Sequence, residues 1–264
     1  MEPNRIKQLW QNNETAINAW ISIPDAWAAE VIAHVGYDTM TIDAQHGLAR
    51  DLSVILPMLQ AIKGTKTIPL IRVPQNDPAF MMSMLDAGAM GIICPMINDR
   101  EETEKFVRAC RFYPKGNRSF GPLRASLIYG DDYFTASDDE VITMAMIETS
   151  DAIKNLKEIA STPDLDGLYV GPWDLSISLG YEKIADFDDP SFLGILQEIL
   201  DAAAENGIFA GIHSVTPEIS QRMSDMGFRF VTTFSDSAGL KKIAAEQLET
   251  FKQKKGLSRS NDSY

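Results

Sequence analysis

Several residue types that would steer a functional reading are scarce in this sequence. Cysteine occurs only twice, Cys94 in an apolar run and Cys110 in a helical window. Two cysteines cannot build a disulfide framework, and they fit a reducing cytoplasm. Basic charge is short: 24 Lys and Arg stand against 37 Asp and Glu, a formal net charge of −13. That balance argues against nucleic acid or an anionic membrane as a partner. The one basic cluster, Lys252, Lys254 and Lys255, ends the last helical window, where cations suit the helix dipole. No apolar run approaches the ~20 residues that span a bilayer, and residues 1–11 hold no apolar signal core. A soluble, cytoplasmic protein is expected. Neither Gly-x-Gly-x-x-Gly nor a P-loop occurs, so nothing points to a nucleotide. No lysine ends a predicted strand: Lys66 precedes one, and Lys154 and Lys157 fall on a helix. A Schiff-base mechanism therefore lacks its nucleophile, and a carbonyl substrate would need activation by a metal.

What is present is a repeated pattern. The 264 residues, 45% hydrophobic, alternate short apolar runs with amphipathic helical windows. The runs are 16–23, 37–43, 68–73, 91–96, 141–148, 167–172, 209–214 and 228–235. They are nearly continuous in apolar residues, as strands covered on both faces should be. Asp77-Pro78, Asp189-Pro190 and Thr216-Pro217 open helices that end near Gly88, Gly207 and Gly227. Eight such units predict a (β/α)8 TIM barrel as a single domain over 1–255, with a short N-terminal helix around 4–11 plugging the bottom. The polar tail 256–264 is expected to be disordered. The long segment 111–139, with Gly121-Pro122-Leu123-Arg124, is expected at the catalytic rim.

In such a barrel chemistry belongs at the C-terminal strand ends. Those ends deliver Asp43 and His46, Arg72, Glu148, Asp174 and His213. Glu148 and Asp174 are candidate ligands for a hard cation, since two carboxylates leave positions open for waters and a chelating substrate. Each also suits a helix N-cap, although Thr149 and Ser150 are better caps than Glu148. Arg72 reads as an anion clamp, as an ion-pair partner of Asp43, or as both. His46 is a candidate acid/base whose ring Asp43, three residues earlier, would orient. His213 is a further candidate for the pocket wall, while His34 reads as structural.

These residues resemble the HpcH/HpaI aldolases, metal-dependent class II pyruvate aldolases of the 4-hydroxy-2-oxo-heptane-1,7-dioate aldolase type. The matching pieces are Ile42-Asp43-Ala44-Gln45-His46-Gly47, Arg72 with Asn76-Asp77-Pro78, Leu85-Asp86-Ala87-Gly88, Pro95-Met96, Ile147-Glu148-Thr149 and Gly171-Pro172-Trp173-Asp174-Leu175-Ser176. The resemblance implies an aldehyde-lyase that reversibly cleaves a 4-hydroxy-2-oxoacid to pyruvate and an aldehyde through a metal-bound pyruvate enolate. It implies Glu148 and Asp174 as ligands of a divalent cation, Mg²⁺ or Mn²⁺ with Co²⁺ as a further candidate. Arg72 would contact the enolate oxygen, and His46 with Asp43 would be the acid/base. Gly171, Pro172 and Trp173 would line the substrate site, with Arg124 as a candidate reader of a distal carboxylate. The resemblance further implies a homohexamer, a trimer of dimers, with Asp86 at a subunit contact and the last helix a candidate for exchange between neighbours. Gln45 stands where the family often has Glu, and Met146 where several members have Gln. An acyl-CoA lyase resembling the citrate lyase β-subunit is the nearest alternative and would need a basic groove from Lys115, Arg118 and Arg124. A non-catalytic oxoacid-binding barrel is the other.

Overall fold

In a computed structural model, which describes residues 1–214 and 216–254, the eight apolar runs become eight parallel strands. These are β1 (Ala16–Ile21), β2 (Thr39–Asp43), β3 (Ile68–Arg72), β4 (Gly91–Cys94), β5 (Ile142–Ile147), β6 (Gly167–Val170), β7 (Phe209–His213) and β8 (Phe230–Ser235). They hydrogen-bond in sequence order, and β8 closes onto β1. The chain is a (β/α)8 TIM barrel. The runs 68–73, 141–148 and 167–172 extend a residue or two past the ladders, because Val73, Glu148, Gly171 and Pro172 are themselves buried.

The helix punctuation holds. Asp77 accepts from Ala79 N ahead of the helix Pro78–Asp86, and Asp189 accepts from Ser191 N ahead of Pro190–Glu205. Each side chain satisfies an orphan N–H, and each proline sits where no N–H is needed.

Apart from a small third cluster of Phe112, Ala125 and Tyr133 beside it, the barrel core is made up of two apolar clusters. The larger lies between strands and helices, with Ile42, Ile71, Ile92, Leu168 and Ile212 all fully buried. The smaller fills the barrel, where Met144, Tyr169 and Phe230 meet Trp10 from the N-terminal helix Arg5–Gln11. Trp10 stacks on Phe209 at 4.8 Å and donates to the Arg229 carbonyl, so this helix closes the lower end. Above that plug runs a polar layer. Thr41 Oγ1 donates to Asn18 Oδ1, Asn18 Nδ2 donates to Thr232 Oγ1, and Thr232 Oγ1 lies 2.8 Å from the Tyr169 hydroxyl.

The segment 111–139 does not reach the catalytic rim of its own chain. It follows the helix Arg100–Cys110 and precedes β5, so it is an αβ connection and lies at the N-terminal strand ends. There Arg111, 1% exposed, pairs with Asp166 at 2.7 Å and donates to Thr143 Oγ1. The tail expected over 256–264 lies outside the described residues. In the last helix, Asp236–Lys254, Leu240, Ile243 and Leu248 are more than half exposed, so this stripe is not packed on its own barrel.

Candidate active site

β2 and β3 end side by side, with Asp43 and Arg72 in register. Arg72 Nε donates to Asp43 Oδ1 at 2.9 Å and a terminal nitrogen donates to Oδ2 at 2.6 Å, a two-pronged pair buried at the barrel mouth. Trp20 of β1 completes the unit: its Nε1 donates to Asp43 Oδ2 at 3.3 Å, and the guanidinium lies 4.7 Å from the indole centre. Burial alone would raise the Asp43 carboxyl. The Arg72 hydrogen bonds and charge, with the N–H groups of His46 and Gln45, outweigh it and hold the group below its ordinary 3.8. Bidentate, charge-assisted contacts are what make such burial tolerable.

Asp43 therefore does not orient the His46 ring, as the sequence suggested. Its oxygens serve Arg72, Trp20 and the backbone N–H groups of Gln45 and His46, at 3.0 and 3.2 Å. Asp43 fixes the turn, and His46 stands exposed on it at the rim. Gly47 keeps that turn tight, since a Cβ there would lie 2.2 Å from the Asp43 carbonyl oxygen.

Glu148 follows β5 and is 2% exposed; its Oε1 accepts from Met96 N at 2.7 Å. Met96 adopts φ +56°, a left-handed conformation costing roughly 1–3 kcal/mol. Asp174 lies in the first turn of the helix Pro172–Ser178. Neither acid is a helix N-cap: Thr149 caps the helix after Glu148, and Gly171 stands at the cap position before Asp174. Burial pushes the Glu148 carboxyl up to about 7 and the Asp174 charge adds to the rise, against the Met96 N–H and Arg72. Two carboxylates thus share a site where Arg72, the cation that acts on Glu148 among the described residues, is already taken by Asp43. That donor set fits a divalent cation. No cluster of three or more His, Cys, Asp or Glu side chains with metal-holding geometry occurs among the described residues. The site offers two protein carboxylates and leaves other positions to water and substrate. Gly171 admits this closeness, because a Cβ would fall 2.6 Å from both Glu148 Oε2 and Met146 Cε.

Between these groups lies a cavity of about 150 Å³ lined by Arg72, Met146, Gly171, Pro172, Trp173, Asp174 and His213. His213 ends β7 with its ring edge-on to Trp20 and Trp173, and its Nδ1 lies 3.1 Å from the Tyr169 hydroxyl. Burial and the Arg72 charge drive its pKa down to about 3, so the imidazole is neutral. Trp20 and Tyr169 escaped the sequence reading, which considered strand ends alone. Inward parity along β1 and β6 was the signal for both.

Arg124 is not in this site. It lies on the helix Leu123–Tyr129 and donates to the carbonyls of Ala87 and Leu59, which belong to outer helices and their ends. Arg118 is buried against Asp86 at 2.7 Å, and Lys115 pairs with Asp139 at 2.9 Å. The three cations that a coenzyme A groove would need are therefore engaged away from Arg72 and Glu148.

Comparison with known proteins agrees with this geometry. The family model described as HpcH/HpaI aldolase/citrate lyase matches residues 17–239. A hydroxypyruvate/pyruvate aldolase of Rhizorhabdus wittichii is 35% identical over 243 residues, covering 92% of this chain and 96% of the relative. A 5-keto-4-deoxy-D-glucarate aldolase of Escherichia coli is 28% identical over 253 residues, covering 95% and 98%. Among solved structures, a HpcH/HpaI aldolase/citrate lyase family protein from Burkholderia cenocepacia superposes with a TM-score of 0.86 at 28% identity, covering 94% of this chain and 99% of that one. Barrel and sequence converge, and the chain belongs to the HpcH/HpaI aldolase/citrate lyase family.

Proposed function

We propose that this protein is a divalent-metal-dependent aldolase that reversibly cleaves a 4-hydroxy-2-oxoacid to a pyruvate-type enolate and an aldehyde. The observation that carries the reading is one rim holding a buried, pre-oriented Arg72 beside the carboxylate pair Glu148 and Asp174. Those two acids would hold the cation, Mg²⁺, Mn²⁺ or Co²⁺. When bound, it supplies Lewis-acid polarisation of the oxoacid's keto and carboxylate oxygens. Asp43 and Trp20 fix the Arg72 fork, so its remaining N–H groups meet charge developing on the C2 oxygen at little reorganisation cost. His46 takes the proton of the C4 hydroxyl; the C3–C4 bond breaks and its electrons pass toward C2. Protonation at C3 completes the oxoacid product. Gly171, Pro172 and Trp173 wall the site and exclude water. The relative that acts on hydroxypyruvate and pyruvate supports a nucleophile of that class.

The test is deuterium exchange at C3 of pyruvate, which an oxoacid-binding barrel does not catalyse. Exchange should require Mg²⁺, Mn²⁺ or Co²⁺, stop in excess EDTA, and be lost in Glu148→Gln and Asp174→Asn. Full exchange in EDTA would overturn the metal reading. The chain also assembles, in this reading, as a homohexamer built as a trimer of dimers, with the helix Asp236–Lys254 exchanged between neighbours. The exposed stripe of Leu240, Ile243 and Leu248 supports this.

A further inference from the structure

His213 is the one titratable group of the cavity wall to which the mechanism above gives no task. Its ring is held on one side only. Nδ1 faces the Tyr169 hydroxyl at 3.1 Å, whereas Nε2 makes no hydrogen bond to the described residues and is not sealed from the cavity.

Counting donors behind the ring assigns its tautomer. Thr41, 0% exposed, has no hydroxyl partner but Asn18 among the described residues, so its proton goes to Asn18 Oδ1 and the amide nitrogen turns toward Thr232 Oγ1 at 2.9 Å. Thr232 Oγ1 therefore accepts from Asn18 and has its own proton to place. Its other partner is the Tyr169 hydroxyl at 2.8 Å. If Thr232 donates there, Tyr169 donates onward to His213 Nδ1, and the imidazole proton sits on Nε2. In the opposite sense, with Tyr169 donating to Thr232, the Thr232 proton has no acceptor among the described residues. Thr232 is 0% exposed, and an orphaned buried donor is disfavoured. Burial, with the Arg72 charge on the same wall adding to it, keeps the ring uncharged. The result is a neutral N–H presented to a small cavity that Arg72 and Asp174 line on its charged side and Met146, Pro172 and Trp173 on its apolar side.

We propose that His213 is a specificity-determining residue, donating a hydrogen bond from Nε2–H to a hydroxyl oxygen of the substrate and so favouring hydroxylated substrates over their apolar counterparts. That hydroxyl belongs either to the oxoacid nucleophile or to the acceptor aldehyde. The inference rests on the aldolase reading, and a site built around a hydrogen-bond donor discriminates against a partner that lacks the oxygen.

Two measurements test it. The chain has three histidines, so the ¹⁵N spectrum of the folded protein can be assigned with a His213→Gln variant. Protonation at Nε2 is expected, and protonation at Nδ1 overturns the inference without touching the aldolase reading. The second is the ratio of kcat/KM within two substrate pairs: hydroxypyruvate against pyruvate, and glycolaldehyde against acetaldehyde. In His213→Phe the ratio should fall roughly two- to tenfold in favour of the apolar member, the worth of one neutral hydrogen bond. His213→Gln, which keeps a donor, should recover it. A fall in the first pair assigns the hydroxyl to the oxoacid, and a fall in the second assigns it to the aldehyde. Tyr169→Phe, which removes the group that fixes the tautomer, should lower the same ratio and serves if His213→Phe does not fold. An unchanged ratio, or an equal loss for both members of each pair, overturns the role of His213. A wild-type protein that neither exchanges pyruvate protons nor cleaves any aldol overturns both readings together.

Discussion

Arg72 and Asp43 turn two strand ends in register into a single rigid cation carrier. Arg72→Lys keeps the charge but loses the fork and its contact with Trp20. It should cost about a hundred- to a thousandfold in kcat, the usual effect of removing one oxyanion donor, and kinetics with saturating metal would measure it. The pair also has an acid limit. Because Asp43 titrates below 3.8 in the folded protein, the stability it contributes is complete above about pH 4 and is lost as pH falls through the lowered folded value. In Asp43→Asn that part of the acid-unfolding curve should disappear when unfolding is followed by circular dichroism between about pH 2 and 5. The identities of Arg72, Glu148 and Asp174 were legible because each ends or follows an apolar run. The task of Asp43 was not, since sequence spacing suggested a ring contact with His46 and the fold gave the carboxylate to a residue 29 positions away. Arg124 shows a related limit: a loop position says nothing about which end of its own barrel the loop serves.

Element order was readable from caps and prolines, which act locally. The length of the connection after Cys110 suggests the catalytic rim, and its order in the chain puts it at the other one. A segment that follows a helix and feeds a strand lies beneath the barrel whatever its length. The helix Asp236–Lys254 carries the clearest prediction at this scale. Paired substitutions Leu240→Asp and Ile243→Asp remove apolar surface that its own barrel does not cover. They should leave the far-UV spectrum of the folded chain intact and reduce the assembly, seen as a lower mass by light scattering. An unchanged mass would mean that this stripe joins no subunits.

Across the whole molecule the two ends of the barrel bear different loads. At the lower end Arg111 ties β5 to the approach of β6 through Thr143 and Asp166. Arg111→Ala leaves Asp166 with Lys7 at 2.6 Å but without its buried partner, and should cost about 1–3 kcal/mol in urea unfolding, with metal affinity of the folded fraction preserved. The polar layer above it crosses five strands, running from Thr41 on β2 through Asn18, Thr232 and Tyr169 to His213 on β7. Such a file of hydrogen bonds is head-to-tail, and its direction is set where it begins. Thr41 has one proton to give, and that gift decides which way round the Asn18 amide sits. Replace Thr41 by Val and the amide is free to turn over, and with it every hydroxyl as far as the imidazole. A methyl-for-hydroxyl exchange on the far side of the barrel would then be felt as a second proton position on a residue it never touches.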